Sequence, residues 1–233
     1  MAETDSNASK RDEMVDLQIA GRGVRDDRVL EAMRKVPRHE FVPEDLREAA
    51  YEDGPLPIGE GQTISQPFIV AYMAEAARLE GGERVLEIGT GSGYGAAVLA
   101  EIAAEVVTIE CIAVLATRAR ATLERLGYRN VEVLVGDGTL GWPASAPYDA
   151  IIVTAGGPFV PPSLRAQLKP GGRLVMPVGE EIWGQTLTRL TRGADGEDRE
   201  DDLGPVAFVP LIGAEGFEDP TRRRRHRSDG GKA

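Results

Sequence analysis

The sequence predicts a doubly wound α/β protein, with a mostly parallel seven-stranded sheet behind an N-terminal helical extension. Two observations carry that reading. Short apolar runs alternate with helical patterns from Arg84 to Gly179. The first of these runs opens into VLEIGTGSGYG, where glycine falls at every second position: Gly89, Gly91, Gly93 and Gly95. Apolar strands separated by helices pack as a parallel sheet covered on both faces. Ligands of such sheets bind beyond the strand C-termini, near the switch point. The 233 residues suffice for one such domain with a full core and a small appendage.

Each element follows from its local pattern. VLEAMRKV sets Val29, Ala32, Met33 and Val36 on one helical face. PLPIGEGQ reads as a loop from its Pro and Gly content. Ser65 is expected to cap the helix FIVAYMAEAARL, with Pro67 in its first turn and its end near Gly81-Gly82. RVLEIG is a buried strand, YGAAVLAEIA a helix, and EVVTIE a second strand. IAVLATRARATLERLG is a helix stopped by Gly127. VEVLVGD and YDAIIVTAG are the third and fourth strands. PPSLRAQL is a short helix opened by prolines, and RLVMPVG is the fifth strand. QTLTRLT and PVAFVPLI read as two late strands flanking a solvated acidic loop, GADGEDREDD.

Composition excludes several classes. The net charge of −11 argues against a nucleic-acid partner. No apolar run approaches the ~20 residues of a membrane span, so no membrane partner is expected. Cys111 is the only cysteine, which rules out an intramolecular disulfide or a cysteine-based zinc cluster. His39 and His226 lie far apart in sequence, and no metal is expected. The polar start MAETDSNASKRDE resembles no targeting peptide, so a cytoplasmic monomer is the expectation. TRRRRHR, at residues 221–227, dissents from the acidic balance. It reads as part of a solvated tail, with a basic arm for RNA or an acidic partner as the alternative.

Two cofactor classes compete for the glycine loop. Gly91, Gly93 and Ala96 satisfy the GxGxx[GA] pattern of dinucleotide sites, which lay a pyrophosphate on a helix N-terminus. Glu87 argues against that, because a carboxylate beside the loop repels phosphate and suits a cation. S-adenosyl-L-methionine carries a sulfonium and an ammonium and no phosphate. Two more acids end the next strands. Glu110 closes VVTIE and can accept from ribose hydroxyls, and Asp137 in VLVGDG can accept from an adenine amino group. Three acids at three successive strand ends favour S-adenosyl-L-methionine.

PLPIGEGQTISQP, VLEIGTGSGYG, GDGTLGWP, PYDAIIVTA, LKPGGRLVMPVGEE and FVPL, with VPRHEFVP upstream, together resemble the protein-L-isoaspartate O-methyltransferase family in order from about Val29 to Leu211. That resemblance implies a Rossmann-like class I S-adenosylmethionine-dependent methyltransferase. Its substrates would be isoaspartyl-containing proteins and peptides, methylated on the free carboxylate so that the ester collapses to a succinimide and repair begins. It places Ser65 at the active-site position, orienting the substrate carboxylate together with Thr63. Ile58 and Gly59 fall near the cofactor by the same resemblance. The cofactor-binding set is therefore Ile58, Gly59, Glu87, Gly89, Thr90, Gly91, Gly93, Glu110, Cys111, Asp137 and Gly138. The expected organisation is a disordered 1–13, a helical, substrate-side 14–82, a cofactor-binding 83–213, and a flexible basic tail at 214–233.

The residue chemistry points the same way. A carboxylate with a pKa of ~4 is ionised at pH 7 and needs no general base. Placing it in line with a methyl donor supplies most of the catalysis. TAGGPFVP, after the fourth strand, lacks the [ND]PP[YF] motif that grips amides or amines. Gly157, Phe159 and Cys111 depart from the pattern of the family that the chain resembles. A class I methyltransferase acting on RNA or a small acid is the alternative that the basic tail leaves open, and a non-catalytic cofactor-binding module is the third.

Overall fold

The computed structural model describes residues 2–180, 184–194 and 196–218. TRRRRHR lies outside the described residues. Helix α1 (Ala2–Glu13) runs into a π turn at Met14–Ile19, in place of the disorder expected for residues 1–13. The anchor lies just downstream, where Met14, Val15 and Ile19 are buried in the core. Lys10 also reaches Glu48 at 3.1 Å. Helix α2 (Asp27–Lys35) buries Val29, Ala32 and Met33, as the pattern predicts, and the Asp26 carboxylate accepts from the backbone N–H groups of Arg28 and Val29.

PLPIGEGQ is not a plain loop. β1 (Leu56–Gly59) and β2 (Gln62–Ile64) form an antiparallel hairpin. Its turn residues Glu60 and Gly61 have φ of 53° and 71°, the left-handed pair that a tight hairpin requires. Helix α3 (Pro67–Ala76) follows with Pro67 in its first turn. Its capping position is Gln66 rather than Ser65, and no side chain caps it. The Ser65 hydroxyl is therefore not spent on the helix.

The sheet domain follows the expected alternation: β3 (Arg84–Ile88), α4 (Tyr94–Ala100), β4 (Glu105–Glu110), α5 (Ala113–Arg125), β5 (Val131–Val135), β6 (Tyr148–Val153), α6 (Pro162–Ala166), β7 (Leu168–Val178), β8 (Gln185–Thr191) and β9 (Arg199–Val206). The seven strands lie in the order β5-β4-β3-β6-β7-β8-β9. All neighbours through β7 are parallel, and β8 is antiparallel to both β7 and β9. Side chains alternate across the sheet. Val85, Val106, Ala150 and Val175 join the core on one face, and Leu86, Val107, Ile151 and Leu174 the core on the other. Successive strands are added outward on one side from β3 to β5 and on the other from β6 onward, so the winding order reverses between these two parallel neighbours and their C-terminal ends form the switch point.

The last strand is displaced from its expected position. It pairs over Arg199–Val206 and takes in the end of the acidic run, Arg199 to Asp202, while residues 207–212 leave the sheet. Charge pairing explains the shift: Arg189 on β8 holds Asp201 at 2.7 Å, and Arg199 holds the same carboxylate at 2.8 Å. The released segment crosses the C-terminal end of β6, where Gly156 donates to the Val209 carbonyl and Leu211 donates to that of Gly156. Ala214 to Phe217, which the sequence assigns to the tail, fold back so that Phe217 N–H meets the Leu211 carbonyl at 2.7 Å.

Candidate active site

A cavity of about 400 Å³ opens at the C-terminal ends of β3, β4 and β6. Glu87, Gly89, Thr90 and Gly91 line one side, and Glu110 and Cys111 another. The 209–212 segment and the Thr63–Ser65 stretch face them. The size suits a single small cofactor with room for a neighbouring group.

Glu87 is 1% exposed, on the face of β3 that looks toward α4. The β3–β4 register sets it opposite Thr108, whose hydroxyl donates to Glu87 Oε2 at 2.6 Å. Thr90 and Thr108 hydroxyls meet at 2.7 Å and extend the chain. Burial, reinforced by the nearby Glu110, pushes the Glu87 carboxyl up to about 8, against the opposing pull of the Thr108 hydrogen bond. Gly95 stands over it, and a Cβ there would collide with Glu87 Oε1. Gly89 is equally constrained, with φ of 94° and the Thr154 hydroxyl filling the place of any side chain.

Glu110 is held by the glycine loop itself. Gly91 N–H donates to its Oε2 at 2.8 Å, and Ile112 N–H to its Oε1 at 3.0 Å. Cys111 is an exposed residue whose Sγ lies 3.6 Å from Glu110 Oε1. Desolvation of the thiol and that carboxylate push its pKa up to about 11, so it is a protonated, inert group at neutral pH.

Four of the sequence-predicted residues do not form the cavity wall. Ile58 packs behind it, 3.4 Å from where a Gly91 Cβ would stand, and Gly59 sits at the hairpin turn beside Arg118. Gly93, with φ of 90°, opens α4. Asp137 stands behind Gly138, which does line the cavity. The Asp137 Oδ1 accepts from Thr139 N–H and its hydroxyl, and Oδ2 from Ala214 N–H. Its carboxylate ties the strand end to the 212–217 turn.

Thr63 and Ser65 line the cavity, and neither hydroxyl has a hydrogen-bond partner among the described residues. Arg38, Thr108 and Gly95 belong to the site and were not among the sequence-predicted residues. Thr108 was legible as the one polar residue inside EVVTIE. Arg38 gave no such signal, because an arginine in a charged helical region reads as solvated.

The wall carries two carboxylates and, among the described residues, no lysine or arginine. A pyrophosphate would find no cationic side chain there, whereas a cationic cofactor finds Glu87 under a glycine that leaves it room. The residues present fit S-adenosyl-L-methionine.

Comparison with known proteins agrees. The family model for protein-L-isoaspartate(D-aspartate) O-methyltransferase matches residues 9–216. A protein-L-isoaspartate O-methyltransferase from Rhodopseudomonas palustris is 61% identical over 207 residues, spanning 89% of this chain and 95% of its own. One from Methanoculleus marisnigri is 56% identical over 216 residues, spanning 93% and 97%. Among solved structures, a protein-L-isoaspartate O-methyltransferase superimposes with a TM-score of 0.79 at 31% identity, covering 94% of this chain and 69% of that one. The beta-aspartate methyltransferase (PCMT) of Plasmodium falciparum, solved in complex with S-adenosyl-L-homocysteine, gives 0.75 at 25% identity, covering 87% and 98%. With this match running through the sheet, the glycine loop and the Ser65 stretch alike, the chain belongs to the protein-L-isoaspartate(D-aspartate) O-methyltransferase family.

Proposed function

We propose that this protein methylates the free carboxylate of L-isoaspartyl residues in damaged proteins and peptides, using S-adenosyl-L-methionine, and so starts their repair through a succinimide. The observation that carries the reading is a pair of unspent hydroxyls, Thr63 and Ser65, facing a cavity whose far wall is a buried carboxylate. When bound, the cofactor supplies an electrophilic methyl group on a sulfonium.

The chain's own residues position and select. Glu87, in its anionic form, balances the positive charge of the cofactor, and Glu110 accepts from ribose hydroxyls with its remaining lone pairs. Gly89, Thr90 and Gly91 bring backbone close to the cofactor without side chains in the way, while Cys111 and Gly138 flank the adenine. Gly93, Ile58 and Gly59 shape that wall from behind. Asp137, whose Oδ1 accepts twice from Thr139 and whose Oδ2 accepts once from Ala214, keeps a single lone pair, on Oδ2, for the adenine amino group. Thr63 and Ser65 donate to the incoming carboxylate, and the N-terminus of α3 adds a favourable dipole. That oxygen arrives ionised, so no base is required, and orientation is the main contribution to rate.

Among the described residues, no helix is long and apolar enough to cross a membrane. The cytoplasmic location expected from the sequence is kept with this reading.

The test is methyl transfer from labelled S-adenosyl-L-methionine to paired peptides that differ only in an isoaspartyl or aspartyl link. Label should enter the isoaspartyl peptide alone. Ser65→Ala should lower kcat/KM about ten- to hundredfold, the scale of one charge-assisted hydrogen bond, with cofactor affinity within about twofold of the parent. Equal labelling of both peptides, or of neither, would refute the reading.

A further inference from the structure

Arg38 is a buried cation that the proposed mechanism leaves unused. It lies in the 3-10 turn Arg38–Phe41 and is 0% exposed. Its Nε donates to the Ala50 carbonyl and its Nη2 to the Ser65 carbonyl, both at 2.8 Å. The guanidinium carbon sits 4.8 Å from the centroid of the Tyr94 ring. Tyr94 and Ser65 both line the cavity. Nη1 has no hydrogen-bond partner.

Among the described residues, no carboxylate pairs with Arg38. The nearest acid in sequence, Glu40, is engaged with Arg47, Arg125 and His39. An interior cation without a counter-ion is costly, and carbonyls and an aromatic face offset that cost only in part. Burial pulls the pKa of Arg38 below its ordinary value, and a guanidinium still stays charged at neutral pH. A purely structural clamp between two carbonyls could be made by a neutral donor without this penalty.

We propose that Arg38 is a positioning residue for the carboxylate subsite: its fork fixes the Ser65 segment, and its unbalanced charge lies beneath the place where the substrate anion docks. Substrate binding would then supply the missing negative charge. This rests on the carboxyl methylation proposed above. It adds that selection for an anion comes from behind the site, from a residue with no direct contact to the substrate.

The test compares the parent with Arg38→Lys and Arg38→Met. KM and kcat are measured on the isoaspartyl peptide. Binding of S-adenosyl-L-homocysteine is measured in parallel, as is inhibition by the same peptide with the isoaspartyl carboxylate replaced by a neutral carboxamide. Arg38→Met should raise KM for the anionic peptide at least tenfold, while binding of the neutral carboxamide peptide and of S-adenosyl-L-homocysteine changes less than threefold. Arg38→Lys, which keeps charge but loses the fork, should restore most of KM and leave kcat reduced. Equal losses for the anionic and neutral peptides would reduce Arg38 to a structural clamp and overturn the proposal. If Arg38→Met does not fold, the lysine variant decides, and parental KM and kcat there would overturn it as well. If the parent methylates no isoaspartyl peptide at all, the proposed reaction fails instead, and the two failures are distinguishable.

Discussion

Glu87 shows how one carboxyl can be tuned by its surroundings. Its pKa is pushed up to about 8 by burial, so it is mostly protonated at pH 7 while the site holds no cation. A positive ligand stabilises the anion. Affinity for S-adenosyl-L-homocysteine, which retains the ammonium group, should therefore rise about tenfold per pH unit between about pH 6 and 8 and flatten above that. Calorimetry in two buffers of different ionisation enthalpy should show release of nearly one proton per ligand at pH 6.5. Glu87→Gln should abolish both the slope and the release. A pH-independent affinity in the parent would mean that Glu87 does not face the charge. For folding the sign runs the other way. An acid with a raised native pKa favours the folded state fully below its ordinary value of 4.5, and that stability is lost as pH rises toward about 8.

At the scale of elements, the 212–217 turn depends on Asp137. Ala214 N–H donates to this carboxylate at 2.8 Å, and Thr139 uses the other oxygen through both N–H and hydroxyl. Glu215 completes the attachment by accepting from Ser163 N–H and hydroxyl. Asp137→Ala removes a local cap and a charge-assisted bond, together about 2 kcal/mol, so Tm should fall by roughly 4–8 °C. Asp137→Asn, which keeps one carbonyl acceptor, should lose less. An unchanged Tm for Asp137→Ala would remove the attachment from the account.

The parallel strands β3 to β7 and the helices between them were legible, because apolar runs in VLEIG, VVTIE and AIIV have no use outside a sheet buried on both faces. The β1–β2 hairpin was not, since its strands are four and three residues long and its Pro and Gly also signal loops. β9 was missed because its charged residues imitate a solvated loop until Arg189 is seen across the ladder. In the site, the acids at strand ends stood out in the sequence. Arg38 did not, because only the folded chain brings it under Ser65.

At the scale of the whole molecule, two additions to the sheet close the same end. The N-terminal region brings the hairpin, Arg38 and Ser65 over the C-terminal ends of the strands, and the 207–217 segment covers them from the other side. Tyr72 on α3 donates to the Leu203 carbonyl on β9 at 3.1 Å, so the substrate-side helix is also tied to the far edge of the sheet. The cofactor cavity and the hydroxyl pair are thus built on segments tied to the same sheet, and catalysis by orientation requires such a placement. The most direct measurement is the fate of an isoaspartyl peptide through repeated turnover with S-adenosyl-L-methionine. The account predicts transient methyl ester, release of methanol, and steady accumulation of the normal aspartyl peptide. A stable methylated product on any other group, or an isoaspartyl peptide recovered unchanged, would contradict it.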